Sequence, residues 1–309
     1  MRIGLIGIGT MARHHARAAT RLGATVVSAC ASSLDSRNWD AFLREFPCEK
    51  RRDAEQVVED SDAVIVCPRW DVTQHMMPML LDSEKPMLIE KPVALRSEQA
   101  KAFLRAARCP HNKMIGFNRR FYRPVLALKK ELGTRTPKSV HVVVSEHLDH
   151  HRRNTGEDVI RHLVPFTSVH TIDLVQFLFE NATVKAMYRT EEGEFVSYNG
   201  LLESGGMPIF LGINANDPSP VGFWVRFPDE TWVLSPLETL RMYRGISVDA
   251  SGPVRRYTPA ICGEVLEEGP GKPGILEQMR AFLSGRYAEG ARLEDCVRQL
   301  ELIDEIRRA

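Results

Sequence analysis

The stretch Arg2-Ile3-Gly4-Leu5-Ile6-Gly7-Ile8-Gly9-Thr10-Met11-Ala12 decides the fold of this chain. Its apolar run, Ile3–Ile6, reads as a short strand, and the pattern from Met11 to Leu22 reads as a helix. Between them stands G-x-G-x-x-A, the fingerprint of a dinucleotide-binding turn. Gly7 permits the tight turn, Gly9 lets the backbone approach a pyrophosphate, and Ala12 keeps the helix close to the sheet. The N–H groups around Ile8, Thr10 and Met11, with the positive end of the helix dipole, then face the phosphates. Glycines at this spacing also mark ordinary turns. A strand before the motif, a helix after it and a repeating strand–helix pattern favour nucleotide binding.

That pattern continues to residue 117. Short apolar runs recur at Val26–Ala29, Ala63–Cys67, Met87–Ile89 and Met114–Gly116. Helical patterns lie near Asn38–Phe46, Val72–Leu81 and Glu98–Ala107. Runs apolar on both faces suit a parallel sheet buried between helix layers. Residues 1–118 are therefore expected to form a doubly wound α/β domain of the Rossmann kind. Beyond that point the pattern changes. Arg119–Leu132 reads as a helix stopping at Gly133, Val140–Ser145 as a strand, and Val159–Phe179 as a helix with Pro165 near its start or marking a break. Strand patterns follow at Val184–Tyr188, Phe195–Leu202, Ile209–Ile213, Phe223–Phe227 and Thr231–Leu234, separated by turn clusters such as Ser204-Gly205-Gly206. Residues 119–309 are expected to form an α+β domain with a mostly antiparallel sheet, ending in helices over Gly274–Leu283 and Leu293–Arg307.

The chain's 309 residues suit two domains of ordinary size. Its 41 Lys and Arg balance 40 Asp and Glu, a net charge of +1, so no global basic field draws nucleic acid or an acidic membrane. No apolar run reaches the length of a membrane span, and no leader pattern precedes the first strand. The expectation is a cytoplasmic protein without nucleic-acid or membrane partners. The six cysteines are scattered with no C-x-x-C pair, which points to buried thiols rather than disulfides or zinc ligands. Glu146–Arg153 gathers acids, histidines and arginines at no standard metal spacing, so no metal is expected. His147 or His151 could instead touch a substrate.

The second strand leads into Ala31-Ser32-Ser33-Leu34-Asp35-Ser36-Arg37. No acid ends that strand to bond both ribose hydroxyls of NAD. Ser32, Ser33 and Arg37 could bond a 2′-phosphate, which predicts NADP as the preferred cofactor over NAD. The alternative is a polar loop in which Asp35 caps the next helix. Glu90-Lys91-Pro92 follows the strand Met87–Ile89, at the carboxyl end where such sheets bind ligands. Lys91 could bond a reacting oxygen and favour a developing alkoxide. It could equally be a surface lysine paired with Glu90.

Gly7–Ala12, Glu90-Lys91-Pro92, Gly116-Phe117-Asn118-Arg119-Arg120-Phe121 and His170-Thr171-Ile172-Asp173-Leu174 share an order and spacing with one known family. Along essentially its whole length the chain resembles the glucose–fructose oxidoreductase/inositol dehydrogenase (Gfo/Idh/MocA) family. The resemblance implies a Rossmann domain, a second domain with a large open sheet, and NAD(P)-dependent hydride transfer on a sugar, sugar derivative or cyclitol. It implies Lys91 beside the nicotinamide and the reacting oxygen. It implies His170 as general acid/base, a task that suits an imidazole titrating near neutrality. Asp173 shares a helix face with His170, and would bond substrate or orient the histidine; both residues also suit a hydrogen-bonded core. The resemblance further sets Pro68, Trp70 and Glu90 near the cofactor, and Asn118 and Arg119 near the substrate, where His147 could join them. It implies a homo-oligomer, dimer or tetramer, through the open sheet. One departure stands out: many family members carry Asp four residues before the histidine, and here that residue is Phe166. Two alternatives stay open, the second of them motivated by Phe166. One is a reaction in which tightly held NAD oxidises a sugar transiently to permit glycosidic cleavage. The other is a non-catalytic nucleotide-binding sensor.

Overall fold

The computed structural model describes residues 1–309 except 161, 193, 194, 253, 270 and 309. It divides into two compact units, Met1–Phe121 with Pro270–Glu301, and Tyr122–Gly269 with Leu302–Ala309.

The first unit alternates strand and helix: β1 (Arg2–Ile6), α1 (Thr10–Arg21), β2 (Thr25–Cys30), α2 (Trp39–Glu45), β3 (Glu49–Arg51), α3 (Ala54–Asp60), β4 (Ala63–Val66), α4 (Trp70–Asp82), β5 (Met87–Ile89), α5 (Ser97–Ala106) and β6 (Lys113–Ile115). The six strands are all parallel, in the order β3-β2-β1-β4-β5-β6. The order reverses between β1 and β4, which opens a crevice at their carboxyl ends. Ile3, Leu5, Val64, Ile65, Leu88 and Ile89 are fully buried, as strands covered on both faces require. The core on one side joins the alanines of α1 to Trp39, Phe42, Met279 and Phe282. The last two come from α10 (Ile275–Leu283), so this helix from late in the chain completes the first unit's core. β3 and α3 carry no expectation from the sequence, because Glu49-Lys50-Arg51 shows no apolar run.

The second unit holds α6 (Arg123–Leu132), β7 (Ser139–Glu146), α7 (Leu148–Thr155), α8 (Glu157–Ile160) and α9 (Val169–Phe179). β8 (Thr183–Glu192), β9 (Phe195–Ser204), β10 (Met207–Ala215), β11 (Gly222–Arg226), β12 (Thr231–Leu234), β13 (Thr239–Asp249) and β14 (Arg256–Leu266) follow. α11 (Leu293–Arg307) runs to the end of the chain, its last residues assigned to this unit. The eight-stranded sheet has the order β14-β13-β12-β11-β7-β10-β9-β8. Among the described residues β7 and β10 are its parallel pair, and the other neighbours are antiparallel. Val140, Val142, Leu202, Ile209, Phe223, Val225 and Leu234 point to its buried face.

Two helices differ from the sequence reading for reasons of proline chemistry. α6 begins at Arg123 after a separate 3₁₀ turn, Asn118–Phe121, because Pro124 fits the first turn of a helix and not its interior. The helix expected over 159–179 is interrupted. α8 ends at Ile160, Arg161 lies outside the described residues, and Val164–Ser168 winds as a π-helical turn beginning near Pro165.

Candidate functional site

At the switch point of the first unit lies a cleft of about 480 Å³. Gly7, Ile8 and Gly9 form one wall, and Cys30, Ala31 and Ser32 continue it at the end of β2. Cys67, Pro68 and Arg69 approach from the end of β4, and Ser36, Asn38, Arg52 and Asp53 close the far end. Gly7 has φ +92°, and an added Cβ would stand 2.7 Å from the Cys67 carbonyl oxygen, so only glycine fits this turn. Gly9 is different. A Cβ there would meet nothing within 4 Å, so the missing side chain leaves open space in front of the backbone. Gly9 is also the N-cap of α1 and offers no side-chain cap to that helix's first N–H groups. A turn kept bare at a helix N-terminus fits a dinucleotide pyrophosphate. Burial pushes the Cys30 thiol up to about 11 and the Cys67 thiol well above its ordinary value, so both stay neutral walls of the cleft.

Of the residues nominated for the cofactor, Gly7, Ile8, Gly9, Ser32 and Pro68 line this cleft together. Thr10 and Met11 form the first turn of α1, and Trp70 opens α4 one residue beyond Arg69. Ser33 and Arg37 lie in the loop after β2 but not in the lining. The Ser33 hydroxyl accepts from the Asp35 N–H, and its carbonyl accepts from Trp39 Nε1. Asp35 does not cap α2, whose N-cap is Asn38. Arg52 and Asp53 were missed because β3 is polar. The available signal was positional, since the strand beside β2 brings its own following turn to the same end.

Glu90 turns inward. Its Oε1 lies 2.7 Å from Nε2 of His15, a residue of α1 that is 0% exposed. An added Cβ on Gly116 would stand 2.9 Å from Glu90 Cδ, so that glycine makes room for the carboxylate. The glycine-rich turn's helix, Glu90-Lys91-Pro92 and Gly116-Phe117-Asn118 thus meet at one buried pair. Lys91 follows Glu90 directly, half-buried, in a cis peptide with Pro92. Asn118 is buried and its amide donates to the Pro273 carbonyl at 2.9 Å. Arg119 is half-buried beside it, while Arg120 is buried and pairs with Asp295 at 3.3 Å.

In the second unit, α9 carries His170, half-buried, and Asp173, which is fully buried. Ser168 ends the π-helical turn and its hydroxyl donates to Glu146 Oε1 at 2.6 Å. The other oxygen of that buried carboxylate meets His151 Nε2 at 3.0 Å. Glu146 thereby joins the end of β7 and α7 to the start of the His170 helix. His147 is the exposed N-cap of α7. Phe166 lies within the π-helical turn.

A parallel six-stranded sheet with a bare glycine turn at its switch point is the architecture of a dinucleotide-binding domain, here in a chain with a second, sheet-built unit. Comparison with known proteins narrows this. Residues 1–116 match the model of the Gfo/Idh/MocA oxidoreductase family, NAD-binding Rossmann fold. Inositol 2-dehydrogenase of Paracoccus denitrificans is 26% identical over 195 residues, 60% of this chain and 56% of that protein. Glucose-6-phosphate 3-dehydrogenase of Bacillus subtilis is 26% identical over 202 residues, 63% of this chain and 58% of that one. The chain thus matches little more than half the length of these curated relatives. The solved structure of UDP-N-acetylglucosamine 3-dehydrogenase from Acidithiobacillus ferrooxidans shares the fold across 100% of this chain and 97% of its own, with TM-score 0.76 at 18% identity. Residues 1–116 thus resemble the NAD-binding domain of the Gfo/Idh/MocA oxidoreductase family. Among the described residues no helix is long and apolar enough to cross a membrane.

Proposed function

We propose that this protein is an NADP-preferring oxidoreductase acting on a hydroxyl or carbonyl carbon of a sugar, sugar derivative or cyclitol. The observation that carries the reading is the cleft at the switch point, with Gly9 bare toward open space. A bound nicotinamide would supply the hydride acceptor or donor. Gly7, Gly9 and the first turn of α1 would hold its pyrophosphate. Ser32, and polar groups beyond it, would bond the 2′-phosphate, since no acid ends β2. The ammonium of Lys91 would bond the reacting oxygen and stabilise the alkoxide form. His170 would take or return the hydroxyl proton. Asp173 is fully buried, which favours orientation of neighbouring groups over contact with a free substrate. The named relatives act on inositol and on glucose 6-phosphate, which supports a polyol or sugar here.

The test is a screen of NADP⁺ and NAD⁺ reduction at 340 nm over sugars, sugar phosphates and cyclitols, with Lys91→Ala and His170→Ala beside the native protein. Each variant should lose about 10²- to 10⁴-fold in kcat while keeping cofactor affinity. Undiminished turnover in both variants, or no turnover with any substrate of these classes, would overturn the reading.

A further inference from the structure

We propose that Arg52, from the turn after β3, is the residue that reads the adenosine 2′-phosphate. The inference rests on the NADP reading above and assigns the contact that reading needs. The sheet register supplies the position. β2 and β3 are parallel neighbours, and their last pair is Cys30 with Arg51. One step beyond it, Arg52 stands beside Ala31, with Ser32 next along the β2 loop. This is where the ribose is read in a doubly wound sheet.

Arg52 lines the same cleft as Gly7, Gly9 and Ser32, whereas Arg37 does not. Its backbone is fixed. The Arg52 N–H donates to Gln56 Oε1 at 3.1 Å, and the Gln56 N–H returns a bond to Asp53 Oδ1 at 3.0 Å. This cap of α3 uses the Arg52 main-chain N–H and leaves its guanidinium out of the cap. The neighbouring arginines are committed elsewhere: Arg51 pairs with Asp60 at 2.6 Å and Arg69 with Asp71 at 2.8 Å. Among the described residues no carboxylate forms an ion pair with Arg52. A planar, permanently charged fork matches a phosphate better than it matches a ribose hydroxyl. Ser32, Ser36 and Asn38 add neutral hydrogen-bonding groups along the same wall. Asp53 also lines this end of the cleft, and its Oδ1 is engaged in the capping bond from the Gln56 N–H.

The experiment is a set of direct binding titrations of NADPH, NADH, adenosine 2′,5′-bisphosphate and 5′-AMP. The proteins are the native chain, Arg52→Ala, Arg52→Lys and Arg37→Ala, each checked for an unchanged melting temperature. Arg52→Ala should weaken NADPH and the bisphosphate about 10- to 100-fold, the value of a charge-assisted phosphate contact. NADH and 5′-AMP should stay within about twofold. Arg52→Lys should fall between, because a point charge replaces the fork. Arg37→Ala should change nothing. Equal losses for phosphorylated and unphosphorylated ligands in Arg52→Ala, or no loss for either, would overturn the assignment. So would a selective loss in Arg37→Ala. The NADP reading itself is judged separately, by the ratio of NADPH to NADH affinity in the native chain.

Discussion

His15 is fully buried, and its Nε2 meets the Glu90 carboxylate while its Nδ1 has no hydrogen-bond partner among the described residues. The tautomer with the proton on Nε2 satisfies the carboxylate and leaves only an acceptor lone pair unmatched. Removing the imidazole would strand a largely buried charge, which costs far more than deleting both partners. We expect His15→Ala to destabilise the protein by about 2–4 kcal/mol in urea unfolding. Glu90→Gln should cost clearly less, because the amide oxygen still accepts from Nε2. A smaller loss for His15→Ala than for Glu90→Gln would count against this account. The same pair holds the backbone that carries Lys91, so the effect should reach turnover as well. At this scale Gly7 was legible in the sequence, because its positive φ and the nearby Cys67 carbonyl admit only glycine. His15 with Glu90, and Arg52, were not. Their meaning lies in partners 75 residues away in one case, and in a neighbouring strand in the other.

Among the elements, β6 is held by a buried lysine. Lys113 is 0% exposed and its ammonium donates to the carbonyls of Ser83 and Lys85, at 2.8 and 2.9 Å, and to Asn112 Oδ1 at 2.7 Å. The segment before β5 is thereby tied to the strand that follows. Lys85 in turn gives its own ammonium to the carbonyls of Val58, Glu59 and Ser61 at the end of α3. Burial brings Lys113 down to about 8 from its ordinary 10.5. Between those values the unfolded chain binds more protons than the folded one, so stability rises with pH across this window. Below about pH 8 the desolvation cost is carried in full. Measured from pH 7.5 to 10.5, the native protein should gain on Lys113→Met by at most about 3 kcal/mol. A parallel pH course for the two proteins would sink the claim. Elements with strong periodicity, β1 through α1 and β4 through β5, were readable from sequence because burial on both faces writes itself as an apolar run. β3, α3 and the π-helical turn at Val164–Ser168 were not. A polar three-residue strand leaves no pattern, and a π turn depends on what surrounds it.

At the scale of the whole molecule one face of the second sheet carries exposed apolar side chains. One cross-strand row runs through all eight strands by direct register: Ala186, Leu201, Phe210, His141, Trp224, Val233, Arg241 and Glu264. Directly opposed residues share a face, and this row alternates with the buried one containing Leu202, Ile209, Val140 and Val225. Phe210 is 44% exposed and its ring lies tilted against that of His141, centroids 4.6 Å apart, with Trp224 half-buried beside them. Farther along, Ile246, Val248, Tyr257 and Ile261 stand exposed on β13 and β14, the last two strands at one edge. Exposed apolar side chains gathered on one sheet face are the material of association sites. A self-complementary sheet face suits a second copy of the chain, since a two-fold axis brings the same row against itself. We expect a homo-oligomer by light scattering coupled to gel filtration. Phe210→Asp should shift it toward monomer, because a charge would be buried at the centre of the interface. Within the monomer the same change falls on a partly exposed position, so the variant should keep its secondary structure and its affinity for NADPH. A native protein that runs as a monomer at micromolar concentration, or a Phe210→Asp variant of unchanged mass, would show that this face is not where copies meet.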